Sequence, residues 1–190
     1  MLHMKIMFSG RPHAQMRSID TSKAEACPGV EAVFTAADVP VNEYGLLNAD
    51  QPVLVGIGSR KSGADVARFV GDQVALVVAE TEDVAAAACE LIEVDWLSLP
   101  VLTDPHEAMK SDAPVLLPGR DTNIAKHNRV RKGDVQAVWD QCVATVEGIY
   151  ETPRQEHAYL QPEAGLAYID AEGRVTVEVA GQWAHEEQRQ

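Results

Sequence analysis

The chain has 190 residues, 46% of them hydrophobic, and carries a formal net charge of −13 from 16 Lys and Arg against 29 Asp and Glu. That length supports one substantial core or two small ones in a globular protein. The acidic balance excludes a nucleic-acid-binding surface, which needs clustered Lys and Arg to neutralise phosphates. The one basic cluster, running from Lys126 through His127, Arg129 and Arg131 to Lys132, is short and has the character of a solvated linker.

The opening MLHMKIMF lacks the long apolar core and cleavage site of a secretion signal. No segment reaches the roughly 20 apolar residues of a membrane span, so a cytoplasmic location is expected. Cys27, Cys89 and Cys142 are odd in number and far apart, which excludes a paired disulfide framework and any local iron–sulfur or zinc spacing. They are expected to be buried free thiols.

In chain order, Lys5 to Ser9 has a strand pattern, Arg11-Pro12 breaks it, and Gln15 to Asp20 resumes it. Thr21 or Ser22 caps a short helix through Cys27, and Pro28-Gly29 stops that helix. Val30 to Thr35 is a strand and Ala37 to Pro40 a turn. Residues Val41 to Ala64 form a loop excursion with a brief strand at the apolar island Pro52 to Ile57.

The densest signal lies between Val66 and Pro100. Gly71-Asp72 makes a turn, Gln73 to Ala79 is a core strand, and Thr81 caps a helix whose Asp83 favours the positive end of the dipole. Ala85 to Ala88 let that helix lie close against a sheet. Ile92 to Trp96 returns as a strand that Pro100 ends.

Asp104-Pro105 then opens a short helix, His106 to Met109, and Ser111 to Thr122 has a linker's composition, placing a domain boundary near Pro118. Gly133-Asp134 opens a helix through Gln141 with Val135, Val138 and Trp139 on one face. Cys142 to Thr152 and Ala164 to Ile169 alternate as strands, and Ala171-Glu172-Gly173 turns the second into Val175 to Ala180. Trp183 to Gln190 starts a helix too short to stand alone in water. With one face of the hairpin system uncovered, the chain is expected to be a truncated piece of a larger protein.

SGRPHAQMRSIDTSKAEACPGVEAVFTAADVP and ARFVGDQVALVVAET resemble the opening signatures of the large subunit of the molybdenum hydroxylases, the xanthine dehydrogenase, aldehyde oxidase and carbon monoxide dehydrogenase family. Gly133-Asp134, Gln155-Glu156-His157 and Gly181-Gln182 are similar to the start of the domain that follows there. QEHAYLQPEAGLAY has the flavour of the bacterial xanthine dehydrogenase type, although Gln161 stands where family members commonly carry Glu. The resemblance implies an α+β fold with an α/β hammerhead domain over residues 1–117 and the incomplete start of a molybdopterin-binding domain over 118–190.

It also implies chemistry. Gln182 inherits by position the glutamine whose amide donates to an oxo ligand of the molybdenum centre, a neutral donor that orients the metal's surroundings without titrating. The implied reaction hydroxylates an electron-poor carbon of a purine, a related heterocycle or an aldehyde, with water as oxygen source. The implied cofactor is molybdenum-molybdopterin, with iron–sulfur clusters and FAD on partner subunits or domains. The family's carboxylate base, glycine-rich cofactor loop and substrate arginine do not occur here, so these residues alone are not expected to turn over substrate.

Other candidates are weaker. His185-Glu186-Glu187 lacks the second histidine of a zinc protease motif, and Glu156, His157 and Glu163 would meet only by accident of folding. His13 and His157 are expected to be hydrogen-bonded structural histidines, and Trp96, Trp139 and Trp183 core or interface anchors. Gly56-Ile57-Gly58 has no helix after it and is no dinucleotide loop. The alternatives are a freestanding hammerhead module that docks through its sheet edges and part of a carbon monoxide dehydrogenase large subunit.

Overall fold

The computed structural model describes residues 1–45, 49–116 and 119–189. The chain divides into two compact units, residues 1–127 and 128–190. The division expected between residues 117 and 118 falls outside the described residues.

The first unit is built on two antiparallel three-stranded sheets. In one, β1 (His3–Phe8) and β3 (Val30–Phe34) flank β5 (Gln73–Ala79); in the other, β4 (Val66–Ala67) and β6 (Glu93–Ser98) flank β2 (Ala14–Asp20). β5 has the bounds its sequence predicts, because its Val-rich alternation suits a strand covered on one face and partly on the other. Ala75, Val77 and Ala79 are fully buried on the side where α2 (Glu82–Cys89) packs. Ala85, Ala88 and Cys89 meet them there. Burying a side chain such as Val77 contributes roughly 1.5–3 kcal/mol, and the small Ala side chains keep the helix close.

Local chemistry sets the helix ends. The Thr81 side chain accepts from Val84 N at 3.3 Å and starts α2. Asp104 accepts from His106 N at 2.7 Å and Glu107 N at 3.1 Å, starting α3 (Pro105–Ala108). These backbone N–H groups hold the Asp104 carboxyl below its ordinary value. α1 (Ser22–Glu25) is shorter than expected, and Thr21 caps nothing with its side chain. The Thr21 hydroxyl donates to Glu25 Oε1 at 2.5 Å, while Asp20 accepts from Ser22 N at 3.0 Å.

Two other expectations differ, and one element was not anticipated. Pro52 to Ile57 forms no strand: Leu54 and Val55 are buried, but the backbone is held by single contacts, with Val55 N donating to Gln73 O at 2.7 Å. Cys142 to Thr152 is not paired into a strand either, and Val143, Val146 and Ile149 project into solvent. An alternating pattern becomes a strand only when another backbone supplies its hydrogen bonds. The two-residue β4 was missed, being too short to show alternation.

The second unit holds α4 (Val135–Trp139), the hairpin β7 (Gly165–Ile169) with β8 (Val175–Val179), and α5 (Ala184–Arg189). Asp134 accepts from Ala137 N at 3.2 Å and caps α4, which ends short of the expected Gln141. Its Val135, Val138 and Trp139 are exposed, as are Tyr168, Val177 and Val179 of the hairpin.

Candidate functional site

The hairpin is fixed by its turn. Asp170 Oδ1 accepts from Glu172 N at 3.0 Å and Arg174 N at 2.9 Å, while Oδ2 accepts from Arg174 Nε at 2.8 Å. The Arg174 backbone N–H, foremost among these, holds the Asp170 carboxyl below its ordinary value. Gly173 takes φ +80°, a conformation that favours glycine. The register pairs Ile169 with Val175 and Gly165 with Val179. Across it the Tyr168 hydroxyl donates to Glu178 Oε1 at 2.8 Å, which pushes the phenol upward.

β8 delivers the chain through Ala180-Gly181-Gln182 into α5. The Trp183 carbonyl accepts from Glu186 N at 2.8 Å and Glu187 N at 3.0 Å, forming the first turn of that helix. Gln182 therefore sits at a strand-to-helix corner, exposed, and its carboxamide has no hydrogen-bond partner among the described residues. An amide in that state offers two donors and one acceptor to an incoming group. The Glu187 carboxylate lies against Gly181, a contact that weighing His185-Glu186-Glu187 as a metal motif did not anticipate. An acidic residue in the first turn of a helix was the available signal.

The remaining candidates take structural places. His13 Nδ1 lies 2.5 Å from the Pro100 carbonyl oxygen, a structural role as expected. His157 instead stacks on Tyr159 with ring centroids 5.6 Å apart. Glu186 pairs with Arg189, whose Nη2 donates at 2.8 Å. Gly56 and Gly58 are spacers: a Cβ on either would come within 2.9 Å and 2.7 Å of Ala36 and Ala37 respectively. Trp96 is half-buried, while Trp139 and Trp183 are exposed and anchor no core within the described structure. Of the cysteines, Cys89 is buried, Cys27 half-buried and Cys142 exposed, so the expectation of three buried thiols fails at Cys142. No helix of the described residues is long and apolar enough to cross a membrane.

Residues 1–100 match the model of the aldehyde oxidase and xanthine dehydrogenase a/b hammerhead domain, and residues 117–190 that of the molybdopterin cofactor-binding domain. The chain belongs to the molybdenum hydroxylase family, as its hammerhead domain followed by the start of the cofactor-binding domain. It is 38% identical to a Bacillus subtilis protein named as a probable xanthine dehydrogenase subunit, over all of this chain and 24% of that protein. It is 36% identical to the nicotinate dehydrogenase large molybdopterin subunit of Eubacterium barkeri, over 97% of this chain and 41% of that one. The aldehyde oxidoreductase structure from Desulfovibrio gigas superposes with a TM-score of 0.77 at 28% identity, covering 93% of this chain and 20% of that one. The chain thus spans about a quarter of the length of the Bacillus relative and under half of the Eubacterium one.

Proposed function

We propose that this chain serves in a molybdenum hydroxylase of xanthine dehydrogenase type, acting on a purine or related nitrogen heterocycle. Residues 1–117 are the hammerhead domain in this reading, and residues 118–190 begin the cofactor-binding domain. The observation that carries it is the unpartnered Gln182 carboxamide at the end of β8, within a segment matching a molybdopterin-binding domain. Similarity along nearly the whole of this chain to a protein named for xanthine and one named for nicotinate, both nitrogen heterocycles, supports the substrate class.

The residues present fit the cofactor: a neutral amide donor can face an electron-rich group at any working pH, where a carboxylate or imidazole would change charge. Gln182 would hold its side of the molybdenum-molybdopterin group, with the Asp170-capped turn and the β7–β8 register fixing the strand that presents it. When bound, that group supplies hydroxylation of an electron-poor carbon with oxygen from water. Partners in this reading are the rest of the catalytic polypeptide, an iron–sulfur protein or domain that receives electrons, and a flavin subunit carrying FAD, all in the cytoplasm.

The test is metal analysis and substrate turnover of the complete large subunit co-expressed with its iron–sulfur and flavin partners. Stoichiometric molybdenum and xanthine hydroxylation are expected. A loaded enzyme that oxidises aldehydes and no heterocycle would overturn the substrate class, and a soluble metal-free monomer would favour a non-catalytic interaction module.

A further inference from the structure

The carboxylate of Glu187 closes over the backbone on both sides of Gln182. On one side, a Cβ built on Gly181 would lie 2.2 Å from both Glu187 carboxylate oxygens and 2.4 Å from Cδ, so the carboxylate lies against Gly181 and a side chain there would push it aside. On the other, Trp183 N donates to Glu187 Oε1 at 3.4 Å, and Glu187 N donates back to the Trp183 carbonyl at 3.0 Å. One side chain therefore lies against the residue before Gln182 and accepts from the backbone of the residue after it. The Gln182 carboxamide is left without a partner among the described residues.

We infer that Glu187 is a positioning residue for Gln182, fixing the direction in which its carboxamide leaves the strand-to-helix corner, with Gly181 as the small residue that lets the carboxylate settle there. This rests on the assignment of Gln182 as the donor facing the molybdenum cofactor. Helix capping alone would account for the Trp183 contact. It does not account for a carboxylate lying against Gly181, three residues before the helix begins. Hydrogen bonds weaken steeply with misalignment, and a functional group needs placement within about 0.5 Å and 10–20°. α5 has only 6 residues, too few to hold its own first turn rigid in water. A constraint from outside the helical ladder is what such a corner requires.

The experiment uses the complete, molybdenum-loaded enzyme carrying Gln182→Ala, Glu187→Ala, Glu187→Gln or Gly181→Ala. Metal content, the electron paramagnetic resonance spectrum of the molybdenum centre, kcat and KM are measured for each. Glu187→Ala is expected to keep its metal, shift the spectrum in the same sense as Gln182→Ala, and lower kcat about tenfold with KM little changed. Glu187→Gln keeps an acceptor oxygen in place and is expected to restore both spectrum and kcat, while Gly181→Ala should mimic Glu187→Ala. A parental spectrum and kcat in Glu187→Ala, beside an altered Gln182→Ala, overturns the inference and leaves the Gln182 assignment standing. Should Glu187→Ala fail to load metal, Gly181→Ala carries the same comparison, and a parental spectrum there overturns it. An unaltered Gln182→Ala enzyme removes Gln182 from the site, and this inference with it.

Discussion

Asn42 spends both ends of its carboxamide on the backbone of one residue: its Nδ2 donates to Leu54 O at 2.8 Å and its Oδ1 accepts from Leu54 N at 2.9 Å. The pair imitates a strand partner for a segment that has none, and it is buried, with Asn42 at 5% exposure and Leu54 at 0%. Stranding a buried peptide donor or acceptor costs about 1–3 kcal/mol. Asn42→Ala should therefore lower the stability of the first unit by at least that much in denaturant unfolding. Asn42→Asp should be as harmful, because it replaces the donor to Leu54 O with an acceptor. A midpoint unmoved in both would mean that the contact does not hold the excursion in place.

Lys5 Nζ lies 2.5 Å from Glu82 Oε1, tying β1 to the first turn of α2. The ammonium pulls the Glu82 carboxyl below its ordinary 4.5, and the carboxylate pushes Lys5 above 10.5. With the carboxyl depressed in the fold, its contribution is present above the unfolded value and fades as pH falls through the folded one; the lysine's fades at the alkaline end. The stability difference between the parent and Lys5→Met should shrink as pH falls below the ordinary carboxyl value of 4.5. Both groups are solvated, so added salt should shrink it as well. A difference constant across that acid range would show that the pair contributes nothing electrostatic.

Burial pushes the Cys89 thiol upward, since desolvation disfavours its thiolate, whereas Cys142 lies in the open. Iodoacetamide at neutral pH should label Cys142 promptly and Cys89 only once the protein is unfolded, because the thiolate is the reacting species. Mass mapping of the labelled peptides reads the order. Equal rates at the two cysteines would contradict the packing of α2 against β5.

Gln182→Ala in the complete enzyme removes an amide donor without disturbing a packed core, because the side chain is exposed. Turnover should fall roughly ten- to a hundredfold, the usual cost of losing a group that orients a metal's surroundings. Melting temperature and metal content should stay near the parental values. Turnover at the parental rate would remove Gln182 from the site.

Much of the architecture was legible because local chemistry writes it directly. Thr81, Asp104 and Asp134 each accept the backbone N–H that starts a helix where the sequence places one. Asp170 and Gly173 close the hairpin turn in the same way. Where the outcome depended on a distant partner, local pattern misled. Cys142 to Thr152 alternates yet forms no strand among the described residues, and Pro52 to Ile57 buries Leu54 and Val55 while a single Asn serves the Leu54 backbone. Gln182 was named through the family resemblance of Gly181-Gln182, whereas the place of the Glu187 carboxylate against Gly181 was not legible, because it comes from the chain folding back on itself.

By itself, then, the order of residues determined the caps that start α2, α3 and α4, the turn between β7 and β8, and the family, since each shows in short stretches of chain. Only the tertiary arrangement decided which alternating segments found a pairing edge, which thiol was withdrawn from water, and how a carboxylate four residues beyond Trp183 came to accept from the Trp183 backbone N–H. Those outcomes depend on backbone groups and volumes brought together by folding, and such proximity is not written in any local stretch of chain.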